Sequence, residues 1–161
     1  NHKYPNTFVI PETKVEKRMM IVPGTDGQKM SKSYNNDIDI FLTDKKLRKK
    51  IMGIKTDSTP IEESKDAESC NVFKLYKLLA TEEQISILKL KYAAGNFGYG
   101  DAKQELFEVI CNKFSDEREK FNHLMENTNI IEKELQKGAD KARLIARGVL
   151  SRVRSNIGYK I

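Results

Sequence analysis

The 161-residue sequence predicts a mainly α-helical fold, in which a helical bundle is attached to the end of a β-sheet. Three observations favour this fold class. Apolar residues recur at helical spacing after residue 43, and two short β-favouring runs precede them, at Thr7–Ile10 and Met19–Val22. The composition, with 39% hydrophobic and 32% charged residues, is typical of a helix-rich globular protein. Since two four-residue strands do not form a stable sheet unaided, we expect both at the edge of a larger sheet.

A loop rich in glycine, lysine and hydroxyl residues follows the second predicted strand, and we call residues 24–36 the lysine loop. Gly24 and Gly27 suit a mobile turn, because glycine permits backbone conformations that other residues resist. Lys29 and Lys32 lie three positions apart among hydroxyl and amide groups, which suits an anionic ligand such as a polyphosphate. From these residues alone, a phosphate-binding loop and a solvated basic loop are equally compatible with the sequence.

Helical signals follow the lysine loop. Thr43 and Asp44 can cap a helix that runs to residue 52, with Gly53 as its C-terminal stop. A polar connection to residue 69 follows, which is too long to be an idle loop inside a compact domain. A helix with a wide apolar face is predicted from residue 72 to 79, and Thr81 begins a capping box for the next helix.

The C-terminal half is predicted to consist of longer helices. Asp101 is expected to cap a long helix, and Asn129 to open another that Gly138 interrupts. The candidate core residues of the long helix are Leu106, Phe107, Ile110, Phe114, Phe121 and Leu124. The last helix is predicted from residue 139 to about residue 156, with an inward stripe formed by Ala142, Ala146, Val149 and Val153. Phe97 and Tyr99 could stack on a base, but packing beneath a helix–helix turn is favoured.

Charge and cysteine spacing limit the classes of function. The formal net charge of +6 and the sequence pI of 9.2 favour an anionic partner, nucleic acid first, although a merely basic surface is equally compatible. Cys70 and Cys111 fit no metal-ligand spacing, so we expect buried, reduced thiols of a cytoplasmic protein. No apolar run approaches the roughly 18 residues of a membrane span. The chain begins at Asn1 without a methionine, which favours a piece of a longer protein.

Basic residues are concentrated on two predicted helices. They are Lys45, Lys46, Arg48, Lys49 and Lys50 on the first, and Lys141, Arg143, Arg147, Arg152 and Arg154 on the last. Each cluster is either a solvated helix face or a patch that follows an RNA backbone. Because guanidinium groups suit phosphates better than ammonium groups do, the last helix is the better candidate. His2 and His123 show no pattern of a metal site or a catalytic triad.

The five residues Lys29-Met30-Ser31-Lys32-Ser33 spell KMSKS, the second signature of class I aminoacyl-tRNA synthetases. Further segments resemble the bacterial-type tryptophanyl-tRNA synthetases, in the correct order along essentially the whole chain. They are Phe8–Glu12, Thr56–Ser58, Asn71–Tyr76, Gly98–Gly100 and Gly138–Arg143. The first class I signature, of the His-x-Gly-His type, does not occur in this sequence.

This resemblance implies a domain organisation and an activity. Residues 1–40 would be the C-terminal remnant of a Rossmann-type catalytic domain, and residues 41–161 an α-helical domain that binds the tRNA anticodon. The full-length enzyme, a homodimer by family analogy, would join tryptophan to ATP, release pyrophosphate and transfer the tryptophanyl group to tRNA(Trp). Magnesium would accompany ATP, held by phosphates and water rather than by a carboxylate cage. The isolated chain would be inactive, because the upstream nucleotide and tryptophan sites are absent.

The resemblance also implies the residues of the site. Lys29 and Lys32 would make the catalytic phosphate contacts. The residues implied in nucleotide binding are Lys29, Met30, Ser31, Lys32, Ser33 and Met20. The apolar residue that contacts adenine in the family would correspond to Met20 or to its neighbour Met19. The rival interpretation is a non-catalytic helical RNA-binding module in which KMSKS is coincidental. A third is that the helical part only stabilises the fold.

Overall fold

The computed structural model describes residues 3–14 and 21–159, and helices dominate it. One short 3₁₀ turn, Lys32–Tyr34, lies in the lysine loop. The α-helices among the described residues are α1 Asp44–Met52, α2 Asn71–Lys77, α3 Glu82–Ala94, α4 Tyr99–Lys113, α5 Ser115–Glu126 and α6 Thr128–Asn156. The predicted mainly α-helical fold class is therefore confirmed.

The two predicted strands are not formed in the described part of the chain. Residues 7–10 adopt bends and irregular backbone, and of the second run only Ile21 and Val22 lie within the described residues. The β pairing described there is one isolated antiparallel bridge between Pro23 and Lys29. The described residues Thr7–Ile10 form no strand, so the strand prediction is wrong for this run, whereas Met19 and Met20 of the second run lie outside the described residues.

The chain divides into two compact units. One lies within residues 15–121, and the other combines residues 1–14 with residues 122–161. The domain boundary expected near residue 40, between a catalytic remnant and a helical domain, stays a prediction.

Helix α4 carries the core of the unit within residues 15–121, since α1 and α2 both pack against it. Leu47 and Ile51 are four positions apart on α1, and Leu106 and Ile110 are four apart on α4, so each pair lies on one face of its helix. The other buried apolar residues of this core are Ile54, Ala67, Cys70, Val72, Phe73, Leu75, Tyr76, Leu88, Tyr92 and Ala102. The predicted apolar face of α2 is thus confirmed.

Aromatic rings pack around Tyr92 at the end of α3. Its ring centroid lies 5.8 Å from that of Phe73, 5.7 Å from that of Phe97 and 6.2 Å from that of Tyr99. Phe97 and Tyr99 therefore pack beneath the turn between α3 and α4, in accordance with the favoured prediction. Burial raises the pKa of the Tyr92 hydroxyl, which contacts the thiol of Cys70 at 3.4 Å.

The helix caps confirm one prediction and correct two. The capping box of α3 is present, because the Gln84 backbone N–H donates to Thr81 Oγ1 and the Thr81 N–H donates to Gln84 Oε1. Helix α4 begins at Tyr99, two residues before the predicted cap residue Asp101. Asp101 occupies the third helical position, and its carboxylate accepts from the N–H of the N-cap residue Gly98. The expected single long helix breaks at Phe114, whose ψ of 22° leaves the helical region.

Helix α6 differs most from the prediction. It continues through Gly138 for 29 residues, because one glycine costs a helix only about 1 kcal/mol. The predicted inward stripe is wrong, since Ala142 and Ala146 are exposed and no residue of α6 is buried. At its C-terminal end, the Asn156 amide donates to the Thr7 hydroxyl at 2.6 Å, which ties the N-terminal segment to this helix.

One buried lysine bonds to several backbone carbonyls of the long connection between α1 and α2. Lys65 is only 7% exposed, and its ammonium donates to the backbone carbonyls of Pro60 at 2.6 Å, Glu63 at 3.0 Å and Ile61 at 3.3 Å. It also lies over the Tyr99 ring, 5.5 Å from the centroid. The predicted buried thiol is found at Cys70, whereas Cys111 is half-buried, and both thiols are free.

Candidate functional site

The lysine loop is a tight turn closed at its base by backbone hydrogen bonds. The Met30 N–H donates to the Val22 carbonyl at 2.8 Å, and the Gly24 N–H donates to the Gln28 carbonyl at 2.7 Å. Gly27 has φ +84°, a conformation that strains other residues, and a Cβ there would lie 2.6 Å from the amide nitrogen of Asn71 and displace that side chain.

The two lysine ammonium groups extend into solvent from this turn. Lys29 and Lys32 are exposed, and in the described ranges neither ammonium has a hydrogen-bond or ion-pair partner. Ser31 and Ser33 flank Lys32 in the sequence, and their hydroxyls lie 2.8 Å apart. Two uncompensated positive charges beside two hydroxyl groups form a surface that suits the oxygens of a polyphosphate.

A buried asparagine holds the inner side of the loop. Asn36 is 2% exposed, and its amide nitrogen donates to Asp26 Oδ1 at 2.8 Å and to the Lys29 carbonyl at 3.1 Å. Its amide oxygen accepts from the Ser31 N–H at 2.7 Å. The hydrogen bond from Asn36 is the main cause that lowers the pKa of the Asp26 carboxyl. The Asn36 amide therefore serves the loop itself and is not a free donor to a ligand.

Backbone and side-chain bonds attach the loop to the helices. The Thr25 N–H donates to the Asn36 carbonyl and the Lys55 N–H to the Thr25 carbonyl, both at 2.8 Å. The Lys50 ammonium of α1 donates to the Asn35 carbonyl at 2.9 Å. The loop is thereby connected to the end of α1 and to the residues that follow it.

The segment after the loop is held by α5. The Arg118 guanidinium donates to the carbonyl of Ile40 and to the carboxylate of Asp44, the first residue of α1. The Phe41 and Phe121 rings stack with centroids 4.5 Å apart. A cavity of about 550 Å³ lies here, and it is lined by Met30, Ser31, Lys32, Asp37, Ile38, Asp39, Ile40, Phe41 and Phe121. Three residues of the KMSKS sequence therefore line a recess.

Five of the six predicted site residues lie together in this loop. They are Lys29, Met30, Ser31, Lys32 and Ser33. Met20 lies outside the described residues, so its predicted role is a prediction still. The sequence analysis did not assign roles to Asp26, Asn36 or Lys50, each of which supports the loop. As a polar residue, Asn36 indicated in the sequence only a possible hydrogen-bond donor. Its burial depends on the folded structure.

The two basic clusters lie on exposed helix surface. On α1, Arg48 donates to the Gln104 side chain at 2.9 Å, whereas Lys45, Lys46 and Lys49 are exposed. On α6, Arg143 pairs with Asp140 at 2.8 Å. Both faces are accessible to an anionic partner, and their role in RNA binding stays a prediction.

The described residues contain neither a metal-binding cluster nor a membrane-spanning helix. Within residues 3–14 and 21–159, no three His, Cys, Asp or Glu side chains are grouped closely enough to hold a metal ion. None of the helices in those ranges combines the length and apolarity needed to cross a membrane.

Comparison with known proteins identifies the class of protein that carries this loop. Over residues 1–115, the chain matches the family described as tRNA synthetases class I (W and Y). The match covers well over half of the sequence and includes the whole KMSKS loop. The chain therefore belongs to the class I tRNA synthetase family of the tryptophan and tyrosine enzymes.

Within this family, the chain is similar to tryptophan–tRNA ligases. It is 42% identical over 158 residues to that of Campylobacter jejuni strain RM1221, which covers 98% of this chain and 50% of the relative. It is 45% identical to that of Fusobacterium nucleatum over 94% of this chain and 46% of the relative. A crystal structure of the Campylobacter jejuni tryptophanyl-tRNA synthetase complexed with ADP and tryptophan matches with a TM-score of 0.84 and 42% identity, over 98% of this chain and 50% of that one. The chain thus spans about half the length of these relatives, and the predicted resemblance is confirmed.

Proposed function

We propose that this chain is the KMSKS-bearing half of a tryptophan–tRNA ligase, which activates tryptophan with ATP and transfers it to tRNA(Trp). The observation that carries the proposal is the exposed KMSKS loop, in a chain 42% identical over 98% of its length to such a ligase. The bound ADP and tryptophan in the Campylobacter jejuni structure support a nucleotide and an amino acid as ligands of the complete protein.

In the activation step, the lysine loop neutralises the charge of the departing pyrophosphate. Attack of the tryptophan carboxylate on the α-phosphorus breaks the bond to the β-phosphate, so negative charge accumulates on the leaving group. The ammonium groups of Lys29 and Lys32 are compact charges on flexible stems and can follow this group as it moves. Ser31 and Ser33 add hydroxyl donors, and the Met30 backbone contacts the nucleotide. Magnesium accompanying ATP would be held by phosphate oxygens and water rather than by carboxylates of this chain, and would supply further neutralisation of the phosphate charge.

Several further features of the complete ligase belong to the proposal. Residues 1–40 end the catalytic domain, and residues 41–161 bind the anticodon region of the tRNA, for which the basic face of α6 is the better candidate surface. The complete protein is a cytoplasmic homodimer, and Met20 is the candidate for the contact with adenine. The chain alone does not activate tryptophan, since it contains no His-x-Gly-His-type signature.

The proposal is tested by replacing the two lysines in the full-length ligase. Lys29→Ala and Lys32→Ala should each lower the rate of tryptophan-dependent ATP–pyrophosphate exchange by about 10²–10³-fold, the effect of losing one group that stabilises developing charge. Thermal unfolding should stay unchanged, because both side chains are exposed and unpaired in the described structure. Lys89→Ala is the matched control, an exposed lysine of α3 that pairs only with Glu68.

The same variants separate this proposal from the rival RNA-binding module. The rival predicts weaker, salt-dependent RNA binding in the lysine variants and no tryptophan-dependent exchange in the wild type. Exchange rates in Lys29→Ala and Lys32→Ala equal to that of Lys89→Ala would contradict the role of the loop in activation.

A further inference from the structure

We infer that Asn36 is a positioning residue for amino-acid activation, which fixes the backbone between the two signature lysines. This inference rests on the proposed function, because it concerns how Lys29 and Lys32 reach the phosphates. It assigns a role to a residue outside the KMSKS sequence and to its carboxylate partner, Asp26.

The partners of Asn36 fix the orientation of its amide without ambiguity. Asp26 and the Lys29 carbonyl can only accept hydrogen bonds, so both must face the amide nitrogen. The Ser31 N–H can only donate, so it must face the amide oxygen. An asparagine therefore matches all three partners, whereas an aspartate or an apolar residue of similar size does not.

The bonds of Asn36 bracket Met30, the residue between its two backbone contacts. Since the amide grips the Lys29 carbonyl on one side and the Ser31 N–H on the other, it sets the path of the chain from which the first lysine extends. The Thr25 N–H also donates to the Asn36 carbonyl, which joins the start of the loop to its end. Asn36 thus closes the loop into one unit that carries both lysines.

Close packing keeps Asn36 in this position. A Cβ on Gly24 would lie 2.5 Å from Asn36 Cγ, so glycine at that position leaves the room that the buried amide occupies. Asp26 is held in turn by the Gln28 N–H, which donates to the same carboxylate oxygen at 3.0 Å. The Asn36 amide is therefore oriented by the Asp26 carboxylate, which the Gln28 N–H holds in place.

The first test measures the geometry of the loop in this 161-residue chain. In Asn36→Ala, the Ser31 amide loses its acceptor, so its hydrogen exchange should accelerate by about tenfold or more, as for the loss of one buried hydrogen bond. The matched control is Asn112→Ala, an exposed asparagine of α4. Unchanged protection of Ser31 in Asn36→Ala would overturn the inference.

The second test measures activity in the full-length ligase. Asn36→Asp keeps the size of the side chain but brings two carboxylates together, and should lower kcat for ATP–pyrophosphate exchange by about 100-fold, the cost of a misplaced reacting group. The KM for tryptophan should stay unchanged, which a general loss of folding would not produce. The control Asn112→Asp makes the same chemical change on the surface and should behave as the wild type.

A charge exchange distinguishes positioning from simple damage. The double variant with Asp26→Asn and Asn36→Asp restores a donor–acceptor pair between the two side chains and keeps an acceptor for Ser31, but it leaves the Lys29 carbonyl without its donor, so only part of the activity should return. Its kcat should exceed that of Asn36→Asp by about tenfold, the value of one such hydrogen bond. Equal kcat values in both variants, or full activity in Asn36→Asp, would overturn the inference. An inactive wild type would instead overturn the proposed function, and Ser31 exchange would still decide whether Asn36 shapes the loop.

Discussion

Replacement of Lys65 by methionine should destabilise the connection between α1 and α2. Methionine keeps the apolar stem but removes an ammonium that donates to three backbone carbonyls, those of Pro60, Ile61 and Glu63. A hydrogen bond from a charged group contributes about 1.5–3 kcal/mol. The free-energy cost of taking the ammonium out of water on folding offsets part of what its three bonds contribute. We therefore expect the free energy of unfolding to fall by about 2–3 kcal/mol.

Urea unfolding of Lys65→Met against the wild type measures this loss directly. Lys74→Met is the matched control, since Lys74 is exposed and donates to one carbonyl, that of Ser69 at 3.0 Å. The control should change stability by less than about 0.5 kcal/mol, as surface substitutions usually do. A loss in Lys65→Met no larger than in Lys74→Met would refute the claim that this ammonium organises the connection.

Two further predictions concern bonds between distant parts of the sequence. Tyr99→Phe removes the bond from the Tyr99 hydroxyl to Asp57 at 2.7 Å and should cost about 1 kcal/mol in urea unfolding at pH 8. Burial, followed by the bond to Asp57, raises the pKa of the Tyr99 hydroxyl from 10.0 to about 12. The stability that this hydroxyl contributes is therefore fully present below pH 10 and is lost as the pH rises from 10 to 12. The wild type should lose this stability in that window and Tyr99→Phe should not, so an equal loss in both proteins would contradict the assignment. Arg118→Met leaves the Ile40 carbonyl and the Asp44 carboxylate without this donor, and should lower the free energy of unfolding by about 1–3 kcal/mol, whereas an unchanged urea midpoint would show that α5 does not hold this segment.

The local signals of the first helices were sufficient to predict them. Helix α1 begins at Asp44 and ends before Gly53, as predicted, although the Thr43 side chain makes no cap bond and Gly53 keeps a right-handed conformation. The predicted capping box at Thr81 begins α3. These features depend on neighbours within four positions, so the sequence contains the whole interaction. The same holds for the lysine loop, since its five signature residues are contiguous.

Features that depend on distant neighbours were not predictable. The burial of Asn36 depends on Asp26 and on the space left by Gly24, and a polar residue type alone favours exposure. In the sequence, nothing distinguishes Lys65 from an exposed surface lysine. In the structure, its ammonium donates to three carbonyls of its own loop. Both residues are buried polar groups whose partners are set by the fold of the chain around them.

Helix α6 shows the opposite error. Its apolar spacing predicts an inward face, yet Leu144 is 77% exposed and the alanines of the predicted stripe are exposed too. Amphipathic spacing indicates that one face of a helix can be buried. It does not indicate that another element packs against that face. Gly138 likewise weakens a helix without ending it, because 28 other residues continue the same hydrogen-bond pattern.

The central claim is that this chain supplies the KMSKS half of a tryptophan-activating enzyme, and ATP–pyrophosphate exchange tests it most directly. The full-length ligase should exchange labelled pyrophosphate into ATP when tryptophan is added, and not when tyrosine replaces it. Residues 1–161 alone should show no exchange with either amino acid. Exchange driven by tyrosine in the full-length protein, or tryptophan-dependent exchange by the isolated chain, would contradict the account.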